Sequence, residues 1–198
     1  MKTIRSVSTL ALLLFSLASS SAITLTMDEL PLQPVNGLAF SGVTFHFTVG
    51  GIASTDAHYN AANGGIGTFV QDPSLEGNSA GVLTLDFAVP TTGLQFGVAR
   101  ETLGSLSPGL QVSLFDAGLA PLGNFSVNTT VLSVFSEGQF TSALTIGRAV
   151  LTFPNAAGAP RFAIDNLTFA AIPEPATATL AVLGFIAAGT LRRRLPRN

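Results

Sequence analysis

The chain has 198 residues, 47% of them apolar, with nine basic and eleven acidic side chains and no cysteine or tryptophan, which excludes disulfides, thiolate metal sites and a cysteine nucleophile. Six of the nine basic residues sit at the two ends (Lys2, Arg5, Arg192, Arg193, Arg194, Arg197), so positions 23–172 keep only Arg100, Arg148 and Arg161 against ten carboxylates, a net charge of −7 with no lysine. Such a body has no basic patch to neutralise phosphate, which excludes nucleic acid as a partner, and it will not settle on an anionic membrane.

In chain order, the first element is a leader. Lys2 and Arg5 make a short positive region, Leu10 to Leu17 an apolar core, and Ser20, Ser21 and Ala22 the small residues read by a signal peptidase. This is the pattern of a secretory signal peptide that engages Sec export machinery, with cleavage after Ala22.

Positions 23–171 read as one all-β ectodomain. Val43, Phe45, Phe47 and Val49 alternate with Thr44, His46 and Thr48; Leu83, Leu85 and Phe87 alternate with Thr84 and Asp86; Leu94, Phe96 and Val98, Phe125 and Val127, and Leu151 and Phe153 repeat the period. Period-two alternation marks strands with one face buried and one wet. Turn chemistry is expected at Gly50–Gly51, Asn63–Gly64–Gly65, Pro90, Pro108–Gly109, Asp116–Ala117–Gly118 and Pro154–Asn155. No segment carries a helical period. Short strands at regular spacing predict an antiparallel β-sandwich or jelly roll.

Two places break the pattern. Positions 53–76, rich in Gly, Asn and Asp, predict long loops carrying His58 and Tyr59, with a short strand over 66–70. In 162–169, Phe162 and Ile164 occupy one phase and Leu167 and Phe169 the other, so a β-bulge at Asp165–Asn166 would restore a common buried face.

The candidate chemistry is sparse. Gly77–Asn78–Ser79–Ala80–Gly81 has the form of a nucleophile elbow, but no strand is expected before it and no helix after it, so it reads as a loop. Two histidines without cysteine would need carboxylates to complete a zinc site. Hard oxygen ligands are better placed: Asp28 and Glu29 follow the first strand, Asp165 lies in the last, and neighbouring first and last strands would bring them together for Ca²⁺. The alternative is that Asp28 and Glu29 start a turn and Asp165 satisfies the bulge; on that reading there is no cofactor. A sugar needs exposed aromatics, and with fifteen Phe mostly on the buried phase the position for stacking is Tyr59. Two carboxylates converging in a pocket would point instead to a hydrolase.

The last element is Pro173–Glu174–Pro175, then the apolar run 176–191, then Arg192, Arg193 and Arg194. At about 1.5 Å per residue the run reaches roughly 24 Å as a helix, against a hydrocarbon core of about 30 Å. The arginines bias that end to the cytoplasm and leave the body outside.

Positions 172–198 resemble a PEP-CTERM sorting signal. The resemblance is carried by Pro173–Glu174–Pro175, the apolar span and the Arg192–Arg194 cluster. Phe162 to Phe169, the Leu114–Gly118 turn and the opening Ile23 to Leu30 look like recurring pieces of PEP-CTERM ectodomains. The resemblance implies recognition of the tripeptide by an exosortase-type membrane enzyme, passage through the inner membrane, and delivery to the surface or extracellular matrix. It also implies a host that makes exopolysaccharide and a non-enzymatic structural or adhesive role in biofilm. The alternative is a secreted carbohydrate- or Ca²⁺-dependent binding module using the same tail.

Overall fold

The computed structural model describes residues 21–62 and 67–172. Most of the leader, Ile66, the Pro173–Glu174–Pro175 tripeptide, the apolar run and the arginine cluster Arg192, Arg193 and Arg194 lie outside the described residues.

Among the described residues thirteen strands follow in order: β1 (Ala22–Leu25), β2 (Gln33–Pro34), β3 (Ala39–Phe40), β4 (Val43–Val49), β5 (Ile52–Ala53), β6 (His58–Ala61), β7 (Ser74–Asn78), β8 (Gly81–Glu101), β9 (Leu106–Phe115), β10 (Pro121–Val131), β11 (Phe135–Ser142), β12 (Ile146–Thr152) and β13 (Arg161–Ala171). All their ladders are antiparallel. Among the described residues no helix is long and apolar enough to cross a membrane.

The 21-residue strand β8 organises the fold. Its first half lies between β4 and β12, and β12 continues to β9 and β10. Its second half lies between β11 and β13, and β13 continues to β7, β6 and β2. Two layers therefore share one strand, and apolar faces with period two meet between them. Phe47 of β4 lies 6.0 Å from Phe162 of β13, Phe87 of β8 lies 5.1 Å from Phe169 of β13, and Phe45 of β4 lies 6.2 Å from Tyr59 of β6. Each fully buried ring contributes about 1.5–3 kcal/mol of transfer free energy. The architecture is an antiparallel β-sandwich, as the alternation predicts.

Several local expectations change. Pro90 does not end a strand. It sits beyond the last β4 partner, at Phe87, inside the register shift of β12 between Arg148 and Ile146 and before β13 joins at Thr91, so its missing N–H breaks no ladder. Pro108 lies inside β9, opposite the register shift of β10 between Val127 and Thr129 and before β12 joins at Gln111, again where no partner needs its N–H. The 53–76 stretch holds β6 and the start of β7, and residues 67–70 are not a strand.

The bulge in β13 is present. Asp165 pairs with Gly97 and Thr168 with Gln95, three residues against two, and Asn166 takes up the left-handed φ of 54°. Phe162, Ile164, Leu167 and Phe169 all reach the core. The Gly77–Gly81 segment spans the end of β7, the two-residue turn Ser79–Ala80 and the first residue of β8, so a strand does precede it while another strand, not a helix, follows; the Ala80 N–H donates 2.9 Å to Asn78 Oδ1.

One end of the sandwich is closed by Arg100, which is fully buried. Its guanidinium donates to the carbonyls of Gly109, Pro154 (3.0 Å) and Ala159 (2.9 Å) and stands over the Phe153 ring at 5.5 Å. At the other end β1 pairs with β13, Ala22 opposite Ala170, and the Ile172 N–H donates 2.9 Å to the Pro90 carbonyl. The two junctions to leader and tail thus lie side by side.

Candidate functional site

The outer face of the second layer is built from the side chains that the core leaves behind. On β7, β13, β8 and β11 the core phase is Leu75, Phe162 and Ile164, Phe96 and Val98, and Phe140. The opposite phase aligns Glu76, Ala163, Ala99 and Glu137 in one row across four strands. Gly97 and Asp165 make part of the next row on one side, and Arg161 extends the β13–β8 ladder on the other, abreast of Glu101. Small residues in the middle make the floor shallow.

A five-residue strap, 67–71, crosses that floor. Val70 is fully buried against Ala99 and Ala163, with Phe135 beside it. The backbone groups that a strand would have used are spent on a side chain: the Glu137 carboxylate accepts from the N–H groups of Thr68 (2.9 Å), Phe69 (3.1 Å) and Val70 (3.4 Å). This is why 67–70 forms no ladder. The Gln71 N–H donates 3.0 Å to Asp165 Oδ2, and Asp165 also accepts from the Asn166 N–H at 2.6 Å. Burial pushes the Asp165 carboxyl up to about 6; the Gln71 and Asn166 N–H groups pull against that, while Glu29 and Asp28 add to it.

Beside the strap an open groove of about 560 Å³ is lined by Glu76, Glu101, Arg161, Phe135 and Val134 over Ala99 and Ala163. A second groove of about 400 Å³ is lined by Leu32, His58, Asn60, Ala61, Ala62 and Arg161. Arg161 belongs to both, so the two depressions adjoin and cross the strands from β6 to β11. At about 4.8 Å per strand this track is roughly 19 Å long. Glu76 and Glu101 stand two strands and two residues apart, about 12 Å between backbones, with Arg161 on the strand between them. They are too far apart to share a proton; Glu76 is buried and accepts from the Ser74 hydroxyl at 3.3 Å, and the Arg161 guanidinium lies 3.9 Å from Asp56.

The residues singled out in the sequence are placed differently. Tyr59 is fully buried in β6 and cannot stack on a sugar; Phe40 and Phe45 meet its ring edge-on. Its hydroxyl donates 2.5 Å to Glu29 Oε2, and burial together with that carboxylate raises its pKa. Asp28 and Glu29 do follow the first strand, and that strand does neighbour the last. Their oxygens are engaged locally: Asp28 Oδ1 accepts from the Thr26 hydroxyl at 2.7 Å and Glu29 Oε1 from the Thr26 N–H at 2.7 Å. Among the described residues no group of three or more His, Asp or Glu side chains is arranged to hold a metal ion. His46 projects from the solvent side of β4, 3.4 Å from Asp86, which Arg148 grips through two hydrogen bonds. Ala22, the expected cleavage position, is exposed at the start of β1.

The groove residues were not singled out in the sequence. The signal available was the second phase of the strands, where Gly97 and Ala99 on one strand and Ala163 on another lie between charged ends. It acquires meaning only once the register is known.

No protein-family model and no curated protein matches the chain. Among solved structures it is similar to a family 29 carbohydrate-binding module from Piromyces equi, over 78% of this chain and 92% of that one, at 13% identity and a TM-score of 0.42. It is also similar to a CBM29-2 variant complexed with mannohexaose, over 77% of this chain and 92% of that one, at 12% identity and a TM-score of 0.38. A CBM29-2 variant complexed with cellulohexaose matches over 75% and 91%, at 13% identity and a TM-score of 0.37.

Proposed function

We propose that the chain is an exported surface or matrix protein, sorted through its PEP-CTERM-type tail, whose non-enzymatic β-sandwich engages an exopolysaccharide chain along the outer face of its second layer. Sorting rests on the order tripeptide, apolar span, arginine cluster at 173–194. The pairing of Ala22 with Ala170 supports it, because a leader and a tail held together in the membrane would then present the body by one end without distorting it. In this reading Sec machinery moves the chain, a signal peptidase cuts after Ala22, and an exosortase-type enzyme acts at Pro173–Glu174–Pro175. Mass spectrometry of the mature protein from its host is the test. The expected termini are Ile23 and a residue at or near the tripeptide; a C-terminus still at Asn198 reduces the tail to a plain membrane anchor.

The single observation that carries the binding role is the sharing of Arg161 by two adjoining grooves. A track crossing several strands suits an extended chain better than a compact metabolite. Its carboxylates accept from sugar hydroxyls and its guanidinium donates, while Phe135 and Val134 offer apolar contact. Neutral, hydroxyl-rich chains fit these walls better than polyanions, which Glu76 and Glu101 repel. Affinity electrophoresis through neutral and acidic polysaccharides should retard the protein in the neutral gel. Arg161→Ala should abolish the retardation while leaving the melting temperature within a few degrees. Equal migration in every gel removes the binding role and leaves a structural one.

A further inference from the structure

The rim of the other layer carries an unusual edge. Strand β10 pairs with β9 from Pro121 to Thr129 and with β11 only at Thr130 and Val131. Among the described residues, Gly123 to Ser126 is therefore laddered on one side only. Soluble proteins guard such edges with charge, proline or bulges, because a row of unpaired N–H and C=O groups is a template for another strand. Here Pro121 and the irregularity at Leu122 protect only the start. From Ala117 to Ser136 there is no charged residue and no histidine, the longest such run in positions 23–172. Among the described residues, six of the ten exposed large apolar side chains fall in it: Leu119, Leu122, Phe125, Val131, Leu132 and Val134.

We infer that this edge pairs with the same edge of a second copy of the chain. Charge selects the occupant. The body carries −7, so two copies repel each other over most of their surfaces, and the uncharged β10 edge is the approach at which identical molecules meet without like charges. A basic partner would find nothing on this edge to recognise. Two-fold antiparallel pairing of a strand with itself needs an axis perpendicular to the sheet, and such an axis places a residue opposite its own copy. Centred on Phe125, it sets Asn124 against Ser126 and Gly123 against Val127 of the other copy. The two Phe125 rings, each 37% exposed and already edge-on to Phe140 at 6.0 Å, then lie on the same face directly across the joint. Aromatic cross-strand pairs are favourable and like charges at that position are not. The joined layer would be a continuous sheet, and the grooves, on the other layer, would stay open on both copies. The result is a bivalent surface protein.

The test uses the full chain in detergent micelles, with native mass spectrometry and sedimentation at protein concentrations up to about 100 µM, a range that covers micromolar association. The wild-type protein should reach a dimer mass. F125E and F125K alone should each weaken dimerisation by at least about tenfold, with unchanged circular dichroism because the side chain is exposed. An equal mixture of F125E and F125K should recover the dimer. A dimer that persists in F125E places association elsewhere, the tail included, and overturns the inference. So does a wild-type protein that stays monomeric throughout, whether or not it binds polysaccharide or another protein.

Discussion

Glu137 and Asp165 stand on the two strands flanking the second half of β8, Glu137 opposite Ala99 and Asp165 opposite Gly97, and both hold the backbone of the same strap. Among the described residues neither carboxylate has an arginine or lysine partner. Each is satisfied by main-chain N–H groups, which form some of the stronger hydrogen bonds available to a buried carboxylate. The strap in turn lies so close to the sheet that a Cβ on Gly97 would collide with the Phe69 carbonyl. The wall of the groove is therefore set by two acids and one missing methyl group.

Gly97→Ala tests that arrangement. The φ of Gly97 is not in the left-handed region, so alanine suits the strand itself and the collision is with the strap alone. The expected outcome is faster hydrogen exchange at Phe69, Val70 and Gln71, with exchange in β4 and β12 unchanged. Overpacking of this kind costs about 1–3 kcal/mol. Uniform acceleration across both layers would mean that the strap is no separable unit.

Asp165 gives the fold a pH dependence of definite sign. Its folded pKa, raised to about 6 mainly by burial, lies above the ordinary value of 3.8, so the stability it contributes is complete below about pH 4 and is lost as pH rises through 6. Glu29 runs the other way. Burial alone would raise it, but the hydrogen bonds from Tyr59 and Thr26 prevail and lower it, so its contribution is lost only as pH falls below the ordinary 4.5. The melting temperature should therefore rise from pH 7.5 to about 5 and fall at lower pH. Asp165→Asn should flatten the first limb, worth up to about 3 kcal/mol, and leave the second. Identical profiles for the two proteins would place the titration elsewhere.

The sandwich was legible in the sequence wherever one face was buried and the other wet, as in Val43–Val49, Leu83–Phe87 and the phase change at Asp165–Asn166. Alternation failed where both faces of a strand are covered. Ala163 and Asp165 are as buried as Phe162 and Ile164, because the strap lies over them, and that layer appears only once chain segments 67–71 and 137 are brought together. Proline misled for a related reason. Pro90 and Pro108 look like breaks because a proline cannot donate, but each stands where the ladder has no partner, which is a property of the register and not of the residue. The site was illegible because Glu76, Glu101 and Arg161 come from three strands, and their convergence depends on β13 lying between β7 and β8.

Arg100 makes a second stability prediction. It has no carboxylate among its hydrogen-bond partners, which are three carbonyls joining β9 and the segment before β13, and burial lowers its pKa to about 10. Arg100→Met fills most of the volume but leaves three buried acceptors unmatched, at a cost of about 3–5 kcal/mol. Arg100→Lys keeps the charge and loses the planar fork, so it should fall between the two. Chemical denaturation would rank them. A methionine variant as stable as the parent would show that the carbonyls find other donors and that the guanidinium is dispensable as a clamp.

Tyr59 separates core from ligand site. Its ring is buried among Phe40 and Phe45, and its hydroxyl is the group that ties β6 to Glu29, thirty residues earlier. Tyr59→Phe keeps the ring contacts and removes the one hydrogen bond, leaving Glu29 with its Thr26 partners. The loss should be about 1.5–3 kcal/mol, the range for a hydrogen bond to a charged group. It should also bring the acid limb of the melting profile to higher pH, because the Glu29 carboxylate loses one of the groups that lower its pKa. Retardation in a polysaccharide gel should be the same as for the parent, since the ring has no open face. A variant that keeps its stability but loses retardation would return Tyr59 to the binding surface and contradict its placement in the core.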